Sequence, residues 1–188
     1  MTSDRNNSRR TVAVFGSSRL APDAPAYADV RALGGELARR GFAVMTGGYD
    51  GAMAAASRGA SEAGGHVIGV TVETFEARGP VNPWVRERLH TPDLYERLRV
   101  LVREADAFVA VTGSIGTLNE LFLCWTLVSV GARPRAPIVL MGEHWNAWLD
   151  AHRAPGLVPH DLFRWVEVAA TPREAAERVS AALPAGAH

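Results

Sequence analysis

Short apolar segments alternate with helix-like segments along almost the whole chain. The segments predicted to be strands are 11–16, 42–46, 66–70, 107–111, 137–141 and about 164–168. Predicted helices lie between or after them, at about 25–40, 51–63, 92–104, 117–130, 144–152 and 172–182. Short apolar strands that alternate with helices are typical of a parallel sheet that is covered on both faces. The sequence therefore predicts an α/β fold: a three-layer sandwich with a mostly parallel sheet and helices on both faces.

A chain of 188 residues typically forms one domain with a sizeable core. We expect a disordered polar tail over residues 1–10 and a single domain over residues 11–183. Residues 71–91 have no clear period and contain Pro80 and Pro83, so this segment is predicted to be an irregular crossover. Thr91 is the expected N-cap of the helix that follows, and Pro92 is its expected first residue.

Charge and hydropathy exclude several classes of partner. The formal net charge is zero, so no broad positive field is expected to attract nucleic acid or an anionic membrane. The longest apolar stretch, 121–132, is too short to span a bilayer, and the polar N-terminus lacks the apolar core of a secretion signal. The lone Cys124 has apolar neighbours and is predicted to pack in the core. We therefore expect a cytoplasmic protein.

All 20 basic residues are arginine, and the chain contains no lysine. This excludes a lysine Schiff base with pyridoxal phosphate, a lysine nucleophile and a Walker-type ATP-binding loop. Three histidines, His144, His152 and His160, are too far apart for one helical face, and no acidic cluster accompanies them. Neither a metal site nor a cofactor is expected.

Three loops rich in small residues follow predicted strands, at 16–18, 46–48 and 112–117. Because the carboxyl ends of parallel strands lie at one edge of a sheet, these loops should converge there. Glycines let backbone N–H groups approach an anion, and helix N-termini add positive potential. A phosphate is the ligand that this arrangement favours. NAD is disfavoured, because the first loop lacks G-x-G-x-x-G and the second strand ends in glycines rather than an acidic residue.

Several segments resemble the LOG ("Lonely Guy") family, whose members are often mislabelled lysine decarboxylases. GTLNE at 116–120 resembles the end of the family signature P-G-G-x-G-T-x-x-E. Residues 14–18 resemble the first strand and loop, 46–70 the G-G-x-x-G-x-M stretch, and 96–111 the helix and strand that carry the family's arginine. The resemblance implies a homodimeric, Rossmann-like phosphoribohydrolase that needs no cofactor. Such enzymes cleave the N-glycosidic bond of cytokinin riboside 5′-monophosphates, and often of AMP, to free base and ribose 5-phosphate.

The resemblance also implies roles for individual residues. Arg97 and Glu120 would be the catalytic residues. Those implied in binding the phosphate and the nucleotide are Gly113, Ser114, Gly116, Thr117, Ser17, Gly47 and Gly48. This chain departs from the family at Ser114, which replaces a glycine, and at Leu98, which replaces a lysine. If position 114 requires a positive φ, the serine would be strained there.

Purely structural roles remain open for the same residues. Thr117 and Glu120 also fit a capping box at a helix start. Ser17 could be a helix-entry cap, and the glycines at 47–48 could serve only a tight turn. Arg97 flanks a predicted apolar stripe, so reach toward a site and exposure to solvent are both open to it. That stripe consists of Leu94, Leu98, Leu101, Val102 and Ala105.

Helix 117–130 is apolar on nearly every side, so it must be covered on both sides. In a domain of this size the second cover would be another subunit, which predicts a homodimer through this helix. The competing interpretation of the whole chain is a non-catalytic nucleotide-binding or sensor protein on the same scaffold. DNA binding is a third interpretation, and it is disfavoured because the sequence has no basic patch.

Overall fold

The structure is a computed structural model that describes residues 9–77, 79–153, 156 and 158–183. Its described strands form one sheet in the order β4-β3-β2-β1-β5-β6-β7, with every neighbouring pair parallel. They are β1 (Thr11–Phe15), β2 (Ala43–Thr46), β3 (Val67–Val72), β4 (Glu87–Thr91), β5 (Ala107–Ala110), β6 (Ile138–Met141) and β7 (Val166–Ala169). The predicted α/β class is confirmed, and this sheet is parallel throughout.

Helices cover both faces of the sheet, as predicted. They are α1 (Pro25–Arg39), α2 (Ala52–Glu62), α3 (Glu73–Glu76), α4 (Leu94–Glu104), α5 (Ile115–Ser129), α6 (His144–Arg153), a 3₁₀ helix (His160–Trp165) and α7 (Pro172–Ala182). One face packs against α1, α2 and α7, and the other against α4, α5, α6 and the 3₁₀ helix. The Rossmann-like three-layer arrangement of the sequence prediction is therefore confirmed.

Strand β1 shows why apolar strands give this architecture. All of its residues are buried, and alternate side chains point to opposite faces of the sheet. Val12 and Val14 join the core beneath α1 and α2, whereas Ala13 and Phe15 join the core beneath α4 and α5. Cys124 is buried in the second core, where the sequence placed it.

The order of the strands reverses between β1 and β5. Strands β2, β3 and β4 extend to one side of β1, while β5, β6 and β7 extend to the other. Loops that follow two adjacent strands therefore diverge at this point and leave a crevice beyond the carboxyl ends of the strands. The loops after β1, β2 and β5 are the three that the sequence analysis singled out.

The segment 71–91 is not the irregular crossover that was predicted. It contains the last part of β3, the short helix α3 and the edge strand β4, which pairs with β3. Only Thr91 of β4 is buried, so this strand does not need a run of apolar residues, and its sequence has none. Thr91 also does not cap the next helix: Asp93 does, accepting a hydrogen bond from Glu96 N at 2.8 Å. Pro92 accordingly lies before the helix.

Helix α5 begins at Ile115, two residues earlier than predicted, with Ser114 as its N-cap. Thr117 is then the third helical residue and cannot be the N-cap of a capping box with Glu120. The capping-box interpretation of Glu120 is wrong for this reason. The carboxylate of Glu120 instead faces Arg97 on α4.

The predicted apolar stripe of α4 is partly wrong. Arg97 is only 6% exposed and lies on the buried side with Val100, Leu101 and Val102. Leu94 is 42% exposed and does not belong to the core. Apolar residues occupy the outer side of α4 as well, so the helical pattern predicted the wrong side of the helix to be buried.

Most of the predicted N-terminal tail lies outside the described residues. Of the predicted tail, the structure describes only residues 9 and 10. The carbonyl oxygen of Arg10 accepts a hydrogen bond from Ala43 N at 2.9 Å. The division into a tail and one domain over 11–183 stays a prediction. No helix in the described part of the chain is long and apolar enough to cross a membrane.

Candidate functional site

A cavity of about 500 Å³ opens at the point where the strand order reverses. This volume lies within the range that is usual for small-molecule sites. Three loops and the helices α2, α4 and α5 supply its walls. The lining residues are Val14, Phe15, Gly16, Ser18, Arg19, Gly47, Met53, Phe75, Arg97, Ser114, Ile115, Gly116, Thr117 and Glu120.

One end of the cavity is the N-terminus of α5. Ser114 caps this helix without a side-chain capping hydrogen bond, so the first-turn N–H groups have no partner from the cap. An ideal Cβ on Gly116 would meet no heavy atom within 4 Å, which leaves the approach to the helix open. Aligned N–H groups and the helix dipole make this end suitable for a phosphate.

Ser114 occupies its position without strain. Its φ is −115° and its ψ is −160°, which is extended backbone. No non-glycine residue in the described ranges has a positive φ. The replacement of the family's glycine by serine therefore leaves the loop conformation accessible and adds a hydroxyl beside the helix N-terminus.

Gly113 has a supporting position behind this loop. A Cβ at this residue would lie 2.1 Å from Thr117 Oγ1, an impossible contact. Thr117 itself is buried beneath the loop. The missing side chain of Gly113 thus lets the loop close onto the first turn of α5, although Gly113 does not line the cavity.

Arg97 and Glu120 face each other across the middle of the cavity. Arg97 Nη1 lies 3.5 Å from Glu120 Oε1, and both side chains are largely buried, with exposures of 8% and 13%. Arg97 Nε donates a hydrogen bond of 2.9 Å to the carbonyl oxygen of Val70 in β3. Two opposite charges held together away from water are costly unless the pair is used or well satisfied.

Burial raises the pKa of Glu120 to about 7, while the charge of Arg97 acts in the opposite direction. A carboxyl group with this pKa exchanges a proton near neutral pH, as a general base or acid must. The guanidinium of Arg97 stays protonated throughout the ordinary pH range. The pair therefore combines one permanent cation with one group that titrates.

The guanidinium of Arg97 is held from two further sides. Its Cζ lies 5.6 Å from the centroid of the Phe75 ring, in a cation–π contact. On the other side an ideal Cβ at Gly47 would lie 1.9 Å from Arg97 Nη2. Gly47 thus leaves the space that the guanidinium fills.

Gly47→Ala adds a methyl group that must displace the guanidinium of Arg97. We therefore expect the turnover of any reaction that depends on Arg97 to fall by about a hundredfold in this variant. The φ of Gly47 is not in the left-handed region, so alanine can adopt the same backbone. The measurement is turnover together with the melting temperature. Parent-level turnover in the folded variant would show that the position of Arg97 does not matter.

Three other sequence-predicted binding residues lie near the cavity without lining it: Ser17, Gly48 and Gly113. Ser17 is not a helix-entry cap either, since its Oγ accepts a hydrogen bond from Arg19 N at 3.1 Å within the loop. Gly48 has a φ of 82°, so the chain needs glycine there for the turn after β2.

The cavity also contains Arg19, Met53 and Phe75, which the sequence did not place in the site, and Ser18 and Ile115, which lie in the predicted loops but were not named as site residues. Arg19 directly follows the loop at 16–18, so extending that loop by one residue would have found it. Phe75 lies on α3, in the segment that was predicted to be irregular. Nothing in its sequence context pointed to the site.

Leu98 does not line this cavity but a separate groove between α4 and α5. Arg97, the preceding residue, does line the cavity. Because position 98 lies outside it, leucine in place of the family's lysine removes no group from the cavity. Among the residues that the structure describes, no group of three or more His, Cys, Asp or Glu side chains could hold a metal ion. The absence of a metal from the site stays a prediction.

An open helix N-terminus beside a buried Arg–Glu pair, at the reversal point of a parallel sheet, defines a Rossmann-like protein with an anion-accepting site. The sequence profile of the family described as "Possible lysine decarboxylase" matches residues 53–179. The chain belongs to this family, which is the LOG family of the sequence resemblance. The chain has no lysine residue, so the family's description does not imply that this protein uses a catalytic lysine.

Relatives with established names agree with this membership. A cytokinin riboside 5′-monophosphate phosphoribohydrolase of Mycobacterium marinum is 32% identical over 158 residues, which are 80% of this chain and 82% of that protein. The enzyme of the same name from Mycobacterium tuberculosis is 31% identical, over 79% and 81% of the two chains. The rice enzyme LOG is 28% identical, over 96% and 77%. Nucleotide phosphoribohydrolase activity is therefore an activity of this family.

Solved structures with the same fold include two proteins that are named for the molybdenum cofactor. The molybdenum cofactor binding protein of Rippkaea orientalis has a TM-score of 0.75 at 21% identity, over 93% of this chain and 98% of that one. The molybdenum cofactor carrier protein of Chlamydomonas reinhardtii has a TM-score of 0.70 at 25% identity, with the same coverage. The first likeness shows the fold alone.

Proposed function

We propose that the protein is a hydrolase that cleaves the N-glycosidic bond of a nucleoside 5′-monophosphate, of the cytokinin riboside or AMP type, to free base and ribose 5-phosphate. The observation that carries this proposal is the buried Arg97–Glu120 pair beside the N-terminus of α5. The 3.5 Å separation and the raised pKa of Glu120 fit a carboxylate that works at a sugar carbon. The membership of the family supports the same reaction.

The 5′-phosphate binds at the N-terminus of α5 in this proposal. Backbone N–H groups of the first turn, the Ser114 hydroxyl and the exposed Arg19 supply the donors. Gly47 and the loop after β1 form the opposite wall. Glu120 lies one turn further along α5, so anchoring the phosphate at the helix start brings the ribose toward its carboxylate.

The reaction breaks the bond between C1′ and the base nitrogen, and the bonding electrons leave with the base. Positive charge then develops on the ribose, and the ionised Glu120 stabilises it or accepts the proton of the attacking water. The water oxygen forms the new bond to C1′, and the proton that the water gives up is balanced by the one that the departing base takes from solvent. Arg97 orients the substrate and balances the charge of Glu120, and it does not act as an acid.

A comparison of AMP with adenosine tests the phosphate anchor in this proposal. We expect kcat/KM for release of adenine, followed by chromatography, to be at least about a hundredfold higher for AMP. Binding energy at the phosphate would then contribute to the chemical step at C1′. Equal rates for the two compounds would contradict a phosphate site at α5.

The pH dependence of the reaction follows from Glu120. With a pKa of about 7, roughly a tenth of this group is ionised at pH 6 and about nine tenths at pH 8. Because the ionised form is the active one, we expect kcat/KM to rise about tenfold between these pH values. The substrate phosphate also titrates near pH 6, so AMP binding by Glu120→Gln, measured over the same range, is the control. A flat profile would contradict the assignment.

A second candidate is a non-catalytic carrier or sensor of a phosphorylated ligand. The observation in its favour is the likeness to the molybdenum cofactor carrier of Chlamydomonas reinhardtii, at a TM-score of 0.70 and 25% identity. A carrier needs the phosphate-binding end of the cavity but not an ionisable carboxylate beside the sugar. Saturable nucleotide binding without base release would favour this candidate.

A homodimer through α5 also belongs to the proposal. The outer sides of α4 and α5 form an apolar groove that contains Leu98, Leu123 and Leu127. Tyr95, on the rim of this groove, is 87% exposed. A second copy of this surface would cover these side chains, in the symmetric manner of most homodimers.

We expect Leu123→Asp to convert the dimer to a monomer, because a buried carboxylate without a partner opposes association by several kcal/mol. Light scattering coupled to gel filtration measures the mass directly. Arg173→Asp, on the exposed side of α7, is the matched control and should leave the dimer intact. A monomeric parent protein would contradict the proposed interface.

A further inference from the structure

A second, smaller cavity of about 220 Å³ adjoins the candidate site. It is lined by Ser18, Tyr49, Asp50, Met53, Phe75 and Gly79. Three of these residues, Ser18, Met53 and Phe75, line the main cavity as well, so the two spaces are continuous. The side cavity lies on the side of β2 and β3, whereas the phosphate-binding end lies after β5.

The order of these subsites matches the order of groups in a nucleotide. Glu120 lies on α5 a turn after its N-terminus, Arg97 contacts Glu120 and the Phe75 ring, and Phe75 also lines the side cavity, so the pair lies between the helix start and the side cavity. If the phosphate is at α5 and the ribose at Glu120, the base points into the side cavity. Phe75 and Met53 offer it an aromatic ring and a thioether, which are suitable surfaces for a planar base.

Asp50 is the charged residue of this side cavity. Its carboxylate has no hydrogen-bond or ion-pair partner among the described residues. Helix α2 begins immediately afterwards, but it has no side-chain capping hydrogen bond, so Asp50 is not used as a cap. An ionised carboxylate only accepts hydrogen bonds. Asp50 is exposed, so a ligand that displaces water from its carboxylate must supply a donor in its place.

The hydroxyl of Tyr49 cannot supply that donor. It donates to Val72 O at 3.0 Å and accepts from Val72 N at 3.1 Å, so the backbone of β3 already uses it. The ring of Tyr49 packs edge-on against Phe75, with the centroids 5.9 Å apart. The side cavity thus has aromatic walls and one carboxylate acceptor that has no partner among the residues the structure describes.

We propose that the side cavity is the base subsite and that Asp50 selects purines with an unsubstituted exocyclic amino group, which donates a hydrogen bond to the carboxylate. This inference rests on the proposed function and narrows its substrate class. An alkyl substituent replaces one of the two N–H bonds of that nitrogen and leaves the other. On the side that it occupies, it places apolar atoms against the carboxylate and removes water without supplying a donor. Sites that hydrogen-bond a substrate N–H discriminate strongly against analogues that cannot reproduce the bond.

The test compares AMP with N6-isopentenyl-AMP. We expect kcat/KM to favour AMP by at least about tenfold in the parent protein. In Asp50→Ala the preference should fall to near unity, through loss of activity on AMP. Asp50 is exposed and unpartnered among the described residues, so its replacement should not disturb the fold. Asp29→Ala, an exposed carboxylate on α1, is the matched control and should keep the parent's preference.

Preference of the parent for the isopentenyl nucleotide, or a preference that Asp50→Ala leaves unchanged, would overturn the inference. If the parent hydrolyses neither nucleotide, the proposed function fails, and the subsite is then tested by binding alone. Calorimetry of the same two nucleotides should give a dissociation constant that is at least about tenfold lower for AMP, with the difference lost in Asp50→Ala. Equal dissociation constants in the parent would overturn the inference by this second measurement.

Discussion

Glu120→Gln should lower kcat for base release by about a hundredfold to a thousandfold while AMP still binds. The amide has the shape of the carboxylate but cannot carry the negative charge that stabilises a cationic ribose, and it cannot accept the proton of water. The side chain is largely buried and faces Arg97. Because glutamine is nearly isosteric with glutamate, the substitution should leave the shape of the cavity unchanged. Turnover measured by chromatography, with binding measured by calorimetry, separates loss of chemistry from loss of affinity.

A carboxylate at the protein surface provides the control for this variant. Glu104→Gln removes an acidic group at the end of α4, where Glu104 pairs with Arg103 outside the cavity. We expect parent-level kcat from it. If Glu120→Gln retained more than about a tenth of the parent kcat as a folded protein, Glu120 would not be the carboxylate that acts at the sugar.

Arg97→Ala should lower kcat/KM by about a hundredfold or more and also destabilise the fold. The substitution removes the cation opposite Glu120 and leaves the carbonyl oxygen of Val70 without the donor that now contacts it. Loss of one partner from a buried ion pair typically costs about 3–5 kcal/mol of unfolding free energy. Because the pKa of Glu120 is lowered by Arg97 and raised by burial, losing Arg97 raises it further. The destabilisation should therefore be greater at pH 8 than at pH 6, because at pH 8 the carboxyl group is ionised in the unfolded chain while the folded variant favours its protonated form.

Two comparisons distinguish catalysis from stability in this variant. Arg173→Ala removes an exposed arginine on α7, outside both the cavity and the groove, and should change neither quantity appreciably. The double variant Arg97→Ala/Glu120→Gln should recover part of the stability lost at pH 8, because no charge is then left buried, but none of the activity. Parent-level kcat/KM in Arg97→Ala would remove Arg97 from the mechanism.

The fold could be predicted from the sequence because its central strands are buried on both faces. Runs such as residues 107–111 are apolar in every position, and glycines or prolines mark their ends. Strand β4 escaped prediction because it is an edge strand, and four of its five residues are at least partly exposed. Its sequence ERLHT carries charges that keep such an edge from pairing with other chains, and those charges conceal the strand in a pattern search.

The candidate site was only partly predictable. The glycine-rich loop and Glu120 stand out because small residues and a carboxylate interrupt an apolar context. The burial of Arg97 could not be derived from helical periodicity, because Leu94 and Leu98 on the outer side of α4 imitate a core-facing stripe. Phe75 belongs to the site only through the tertiary path of the segment after β3, which brings α3 over Arg97.

The most direct test of the central claim is a search for both products of AMP hydrolysis. The purified protein is incubated with AMP at pH 8, where Glu120 is mostly ionised, and adenine and ribose 5-phosphate are quantified by chromatography. We expect both products in equal amounts, at a rate that is proportional to protein concentration and that nearly vanishes with Glu120→Gln. Calorimetric binding of AMP without any release of adenine would contradict it, and would identify the protein as a carrier or sensor of phosphorylated ligands.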